Sequence, residues 1–137
     1  MTGFAESRRI ATVTLVVADY DEAITWYVGK LGFALTDDID LGDGKRWVTV
    51  TPATAQGARL LLAEAADDAQ KSRVGNQTGG RVFLFLETDD FARDHAAMLK
   101  NSVEFRETPR HEPYGTVAVF ADLYGNLWDL IEPKRQA

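Results

Sequence analysis

The chain has 137 residues, 45% of them hydrophobic and 26% charged, with no cysteine and two histidines. A chain this long buries about two-thirds of its unfolded surface without a disulfide or structural metal, and the missing cysteines exclude thiolate zinc sites and cysteine nucleophiles. Fifteen basic against twenty-one acidic side chains give a net charge of −6, which argues against a nucleic-acid partner, since such partners are held by clustered Lys and Arg.

Residues 10–18 alternate, with Val13, Leu15 and Val17 on one face and Thr12, Thr14 and Val16 on the other; period two with β-branched residues predicts a strand. Asp19, three residues before Glu22, opens a helix as a capping box. Ala23, Ile24, Tyr27, Val28 and Leu31 give that helix an apolar face, and Gly32 ends it. Residues 33–38, 46–51 and 58–63 read as three further strands, the first two joined by a hairpin turn at Asp43-Gly44. Residues 65–79 are polar, small or glycine-rich and read as a linker.

The order then begins again. Residues 81–87 predict a strand, and Thr88, Asp89 or Asp90 caps a second helix bearing Phe91, Ala92, His95, Met98 and Leu99. Residues 103–106, 116–122 and 127–132 predict three more strands, with Tyr124-Gly125-Asn126 as a turn. The chain therefore reads as one α+β domain of two βαβββ modules, residues 9–64 and 80–133, joined by the linker. One helix covers one face of a four-stranded sheet. The other face must be covered by the other half, a second subunit or a ligand.

Val16-Val17-Ala18-Asp19-Tyr20-Asp21-Glu22-Ala23-Ile24-Thr25-Trp26-Tyr27, with Leu31-Gly32-Phe33, and Phe120-Ala121-Asp122-Leu123-Tyr124-Gly125-Asn126-Leu127-Trp128-Asp129-Leu130-Ile131-Glu132 fall at matching ends of the two modules. With the paired βαβββ order, they resemble the vicinal oxygen chelate superfamily of glyoxalase I, extradiol dioxygenases, fosfomycin-resistance enzymes and bleomycin-resistance proteins. The resemblance covers roughly residues 9–133 and implies curved mixed sheets around a cup. In catalytic members a divalent metal is held by His, Gln or Glu on the first and last strand of each module. Those positions fall here on Thr12, Leu61, Arg81 and Asp129. Only Asp129 is of the ligating kind, so the expectation is no metal and no other cofactor.

Strand alternation places Thr12, Thr14, Arg59, Leu61, Arg81, Phe83, Phe85 and Asp129 in the cup, with Trp128 and Leu130 pointing to the helices. Trp47 and Thr49 share a face, and alternation leaves open which one. An apolar lining with a few polar anchors suits a small organic ligand. Arg81 and Asp129, on neighbouring strands, are expected to form an ion pair in the metal's place. That pair is either structural, or it sets Arg81 on a ligand oxygen with Asp129 as orienting group or base. His111, in the Pro109–Gly115 loop with Glu112 and Tyr114, either forms with them a gate or acid–base group or is an ordinary exposed histidine. His95, on an apolar helical face, reads as structural, as do Trp26, Tyr27, Phe33 and Trp128.

Three functions compete. The first is a metal-independent module binding a small hydrophobic or cationic molecule; the second is a metal-dependent lyase, isomerase or dioxygenase of the same superfamily; the third is a regulatory or dimerisation domain without ligand. Family membership implies a homodimer, with Thr12 and Leu61 of one chain meeting Arg81 and Asp129 of the other. Residues 1–9 carry no apolar leader core, and no stretch reaches the ~18 apolar residues of a membrane span, so a cytoplasmic protein without a membrane partner is expected.

Overall fold

The first half builds up from local signals. In the computed structural model, which describes residue 3, residues 6–52 and residues 56–135, β1 (Thr12–Val17) leads through Asp19 into α1 (Tyr20–Leu31). The Asp19 carboxylate accepts the Glu22 N–H at 2.8 Å, satisfying a free amide of the first turn. Gly32, at φ 71°, closes the helix in the left-handed conformation. β2 (Ala34–Gly42) and β3 (Lys45–Thr51) form the hairpin, and Asp43 and Gly44 between them both take positive φ, as a tight two-residue turn demands. β4 (Arg59–Glu64) pairs parallel with β1 and antiparallel with β3, so sheet 1 runs β1-β4-β3-β2. Residues 1, 2, 4 and 5 of the stretch read for a leader lie outside the described residues.

The segment expected as a plain linker carries a short helix, α2 (Asp68–Lys71), and is fastened at its far end. Gln77 Oε1 accepts the Val16 N–H at 3.1 Å, while the Gln77 N–H donates to Asn126 Oδ1 at 3.2 Å. One residue, through its side chain and its backbone N–H, thus ties β1 to the turn before β9.

The second half has β5 (Val82–Glu87), α3 (Phe91–Lys100), β6 (Glu104–Phe105), β7 (Arg110–Glu112), β8 (Gly115–Ala121) and β9 (Leu127–Pro133). Sheet 2 runs β5-β9-β8-β6, with β7 also paired to β8. Of the three candidate caps for α3, it is Asp90 that accepts the Arg93 N–H. The segment expected as an ordered loop contains a strand, so this module has one strand more than βαβββ. Pro109 and Pro113 bracket that strand and hold it to three residues, because proline cannot donate to a ladder.

Burial follows the strand alternation. Leu15 and Val17 of β1, Val48 and Val50 of β3, and Leu60 and Leu62 of β4 are buried on the helix side of sheet 1. Ala118, Phe120, Trp128 and Leu130 do the same in sheet 2, and both sets belong to one core. Tyr27 and Phe33 cross between modules to meet Trp128, with ring centroids 6.0 and 6.2 Å apart. The helix-side faces of the two halves therefore cover each other. Each sheet is left with a second, open face.

Candidate functional site

The open face of sheet 1 is built from alternate residues of four strands. Register sets Thr12 beside Arg59, Thr14 beside Leu61, and Leu61 in turn beside Thr49. Trp47 and Thr49 therefore belong to this face and not to the helix side. The Arg59 guanidinium lies 3.4 Å from Thr12 Oγ1 and 3.5 Å from Asp37 Oδ2. Asp37 also accepts the Thr49 hydroxyl at 2.7 Å, and Thr36 Oγ1 sits 2.7 Å from the same hydroxyl. Thr12, Thr36, Asp37, Thr49 and Arg59 thus partner one another within the face. Outside it, Ile39 opens half of its surface to solvent, 52%.

The open face of sheet 2 differs in one respect. Asp129 is paired in register with Phe85 on β5 and Val119 on β8, with Ile131 two residues along the same strand. Asp129 Oδ1 is buried and has no hydrogen-bond partner. Phe85, its neighbour, is 62% exposed. Burial raises the Asp129 pKa above the usual carboxylate range; the nearby Glu107 pushes the same way and Arg110 opposes it.

Arg110 is held off Asp129 by prior commitments. Its Nε donates to Glu107 Oε1 at 2.8 Å and its Nη1 to Glu112 Oε1 at 3.3 Å. Glu107 is in turn fixed by the Val119 N–H at 2.9 Å. The floor of this face thus presents a carboxyl without a partner, an exposed phenyl ring and two aliphatic side chains.

The remaining expectations fare unequally. Thr12, Thr14, Arg59 and Leu61 do come together on sheet 1, and Phe85 and Asp129 on sheet 2. Arg81 does not reach Asp129: it is exposed, precedes β5, and makes no ion pair with Asp129 among the described residues. Phe83 is turned away from the open face. A register shift between Val82 and Leu84 inserts one residue, so Phe83 points to the core and meets Trp128 edge-on at 6.4 Å.

His111 pairs in register with Thr116, one step out of phase with Arg110 and Val117. Its Nδ1 lies 3.3 Å from Thr116 Oγ1, on the opposite side of the sheet from Asp129. Tyr114, 54% exposed, sits in the turn after β7. His95 stacks on Phe91 at 5.3 Å and contacts Phe105 at 4.5 Å, a packing role. Missed by the sequence reading were Glu107 and Arg110, and Glu112 was read only as a companion of His111. Their signal was the alternation of Arg110, His111 and Glu112, hidden between two prolines.

A family model described as the Glyoxalase/Bleomycin resistance protein/Dioxygenase superfamily matches residues 9–130. The chain belongs to this superfamily. A relative from Shewanella frigidimarina is 53% identical over 90% of this chain and 92% of its own, and YurT of Bacillus subtilis is 30% identical over 90% and 98%. Both carry the description of uncharacterised proteins. Among solved structures, UcmS2 superposes with a TM-score of 0.80 at 27% identity, covering 91% of this chain and 98% of its own. TnmS3, described as an antibiotic binding protein from Streptomyces sp. CB03234, gives 0.76 at 26% identity over 96% and 100%.

For this member of the superfamily, the residues at the implied metal positions do not fit a metal. Leu61 has no donor atom, Arg81 is a cation, and Thr12 already lies against the Arg59 guanidinium. Among the described residues no group of three or more His, Asp or Glu could hold an ion.

Proposed function

We propose that this protein is a metal-independent small-molecule binder of the glyoxalase/bleomycin-resistance superfamily. It holds an organic ligand on the open face of sheet 2, and two copies of the chain meet so that the open face of sheet 1 closes over it. The observation that carries this reading is Asp129, a carboxyl whose buried oxygen has no partner, set beside an exposed Phe85. An unsatisfied, part-buried carboxylate costs about 1–3 kcal/mol, and a ligand that donates to the oxygen of Asp129 left on the open face offsets part of that cost. The antibiotic-binding description of TnmS3 supports the same class of function.

A thermal-shift screen of small organic molecules, run with and without chelator, tests it. A ligand at 100 times its dissociation constant should stabilise the fold by about 2.7 kcal/mol. The stabilisation should survive chelation and disappear in Phe85→Ala. Dependence on added Ni, Zn, Mn or Fe would instead favour a metal-dependent enzyme.

A further inference from the structure

The two open faces are chemically unequal. On sheet 1, Asp37 is satisfied by Thr49 and Arg59. On sheet 2, Asp129 makes no hydrogen bond among the described residues, while Arg110 is shared by Glu107 and Glu112, and Arg106, bonded through its N–H to the Val119 carbonyl, is paired with Glu104. Counting Asp129, three carboxylates surround one guanidinium, and Glu87, exposed beside Ile131, adds a fourth on β5. The local field is negative. A neutral ligand would leave it uncompensated, and an anion would add to it. A ligand group that brings donated hydrogens and positive charge meets the half-buried Asp129 carboxylate at its other oxygen, Oδ2, and offsets the field.

The surroundings specify the rest of the molecule. Phe85 is the register partner of Asp129 on the adjacent strand, and neighbouring strands stand about 4.8 Å apart. A flat ring laid on Phe85 therefore places a substituent one or two bonds away over Asp129. Val119 and Ile131 flank the same spot and offer no competing polar group.

We infer that the open face of sheet 2 is a site for an organic cation, with a flat apolar body on Phe85 and an ammonium group donating to Asp129. This rests on the proposed binding function and selects, from the neutral and cationic ligands that function allows, the cationic class. Asp129 is a binding residue here, and Glu107 is a positioning residue that keeps Arg110 from quenching it.

Three probes of one shape test the inference by calorimetry at neutral pH: 1-naphthylmethylamine, 1-naphthylmethanol and 1-naphthoate. A charge-assisted hydrogen bond adds about 1.5 kcal/mol or more, so the amine should bind at least about tenfold more tightly than the alcohol, and the carboxylate most weakly. Asp129→Asn should abolish the preference for the amine while leaving the alcohol's affinity within about twofold. Phe85→Ala should weaken all three. The amine preference should also fade with acidification, as Asp129, whose pKa is raised by burial, takes a proton; the charged groups facing it are Arg110, Glu107, Glu112 and Glu87. Alcohol or carboxylate binding as tight as amine binding, or a preference that persists in Asp129→Asn, overturns the cation inference and leaves the binding function standing. Failure of all three probes to bind overturns both.

Discussion

Tyr27 and Asp122 show how one contact carries the union of two half-domains. The Tyr27 hydroxyl donates to Asp122 Oδ2 at 2.6 Å, and the same carboxylate accepts the Tyr124 and Asn126 N–H groups and Asn126 Nδ2. Burial, then the Asp122 charge, holds the Tyr27 phenol well above its ordinary pKa, so it remains a donor at every ordinary pH. Tyr27→Phe keeps the ring against Phe33 and Trp128 but withdraws the donor. Hydrogen bonds to charged groups contribute about 1.5–3 kcal/mol, and a loss of that size is expected in urea denaturation with an unchanged m-value. A loss under about 0.5 kcal/mol would mean that Asn126 and the two amides already satisfy Asp122.

Asp129 makes the opposite prediction. Its pKa is raised by burial, so the folded state holds the proton more tightly than the unfolded chain. The stability this group contributes is complete below the ordinary carboxylate range and is lost as pH rises through the raised value. Ligand-free Asp129→Asn should therefore be more stable than the parent at neutral pH, by about 1 kcal/mol. The gap should close as the solution is acidified, which parallel melting curves would show. A variant less stable than the parent at neutral pH would mean that the carboxylate has a stabilising partner after all.

At the scale of elements, the linker is a structural part and not a tether. Gly75 takes φ 76°, and a Cβ placed there would lie 2.0 Å from the Tyr124 carbonyl oxygen. Gly75→Ala must both strain its backbone and push the linker off the turn that precedes β9. A cost of about 2 kcal/mol or more is expected in chemical denaturation, above the ordinary penalty for alanine at positive φ. Wild-type stability in this variant would show that the linker yields freely.

The elements also divide by how far they were legible in advance. Strands with uninterrupted alternation, β1, β4 and β9, had their faces assigned correctly, because one residue's placement dictates all the others. The caps at Asp19 and Gly32 and the turn at Asp43-Gly44 follow from local chemistry and needed no tertiary contact. β5 broke the rule. Its inserted residue sent Phe83 to the core while leaving Phe85 outside, and alternation has no means to announce a bulge. The same limit undid the expected Arg81–Asp129 pair, which assumed that the strand began one residue earlier than it does. Glu107, Arg110 and Glu112 depend on β7, a three-residue strand that exists only because β8 offers it an edge. The face that Asp129 occupies was therefore readable, whereas the place of Glu107 and Arg110 around it was not.

The whole molecule presents a sheet face on either side of a shared core, each with a large apolar side chain in solvent: Ile39 on sheet 1 and Phe85 on sheet 2. Burying such a side chain is worth about 1.5–3 kcal/mol. The proposed dimer gains this twice by symmetry, since each face of one copy meets the other face of its partner. It would also bring the Arg59–Asp37–Thr49 network of one protomer over the unpartnered Asp129 of the other, closing the ligand site from above. Analytical ultracentrifugation at micromolar concentration should then report a dimer. Ile39→Lys, which forces a charge into the seam on both sides of the two-fold axis, should weaken association by at least about tenfold, the equivalent of 1.4 kcal/mol. It should do so while leaving monomer stability nearly unchanged, because Ile39 lies outside the core. In the same experiment, naphthylmethylamine should strengthen the association of the parent chain, since a ligand held by both faces binds the dimer in preference to the monomer. A monomer that binds the amine with full affinity would make the face of sheet 2 a complete site and remove any role for the partner in closing it.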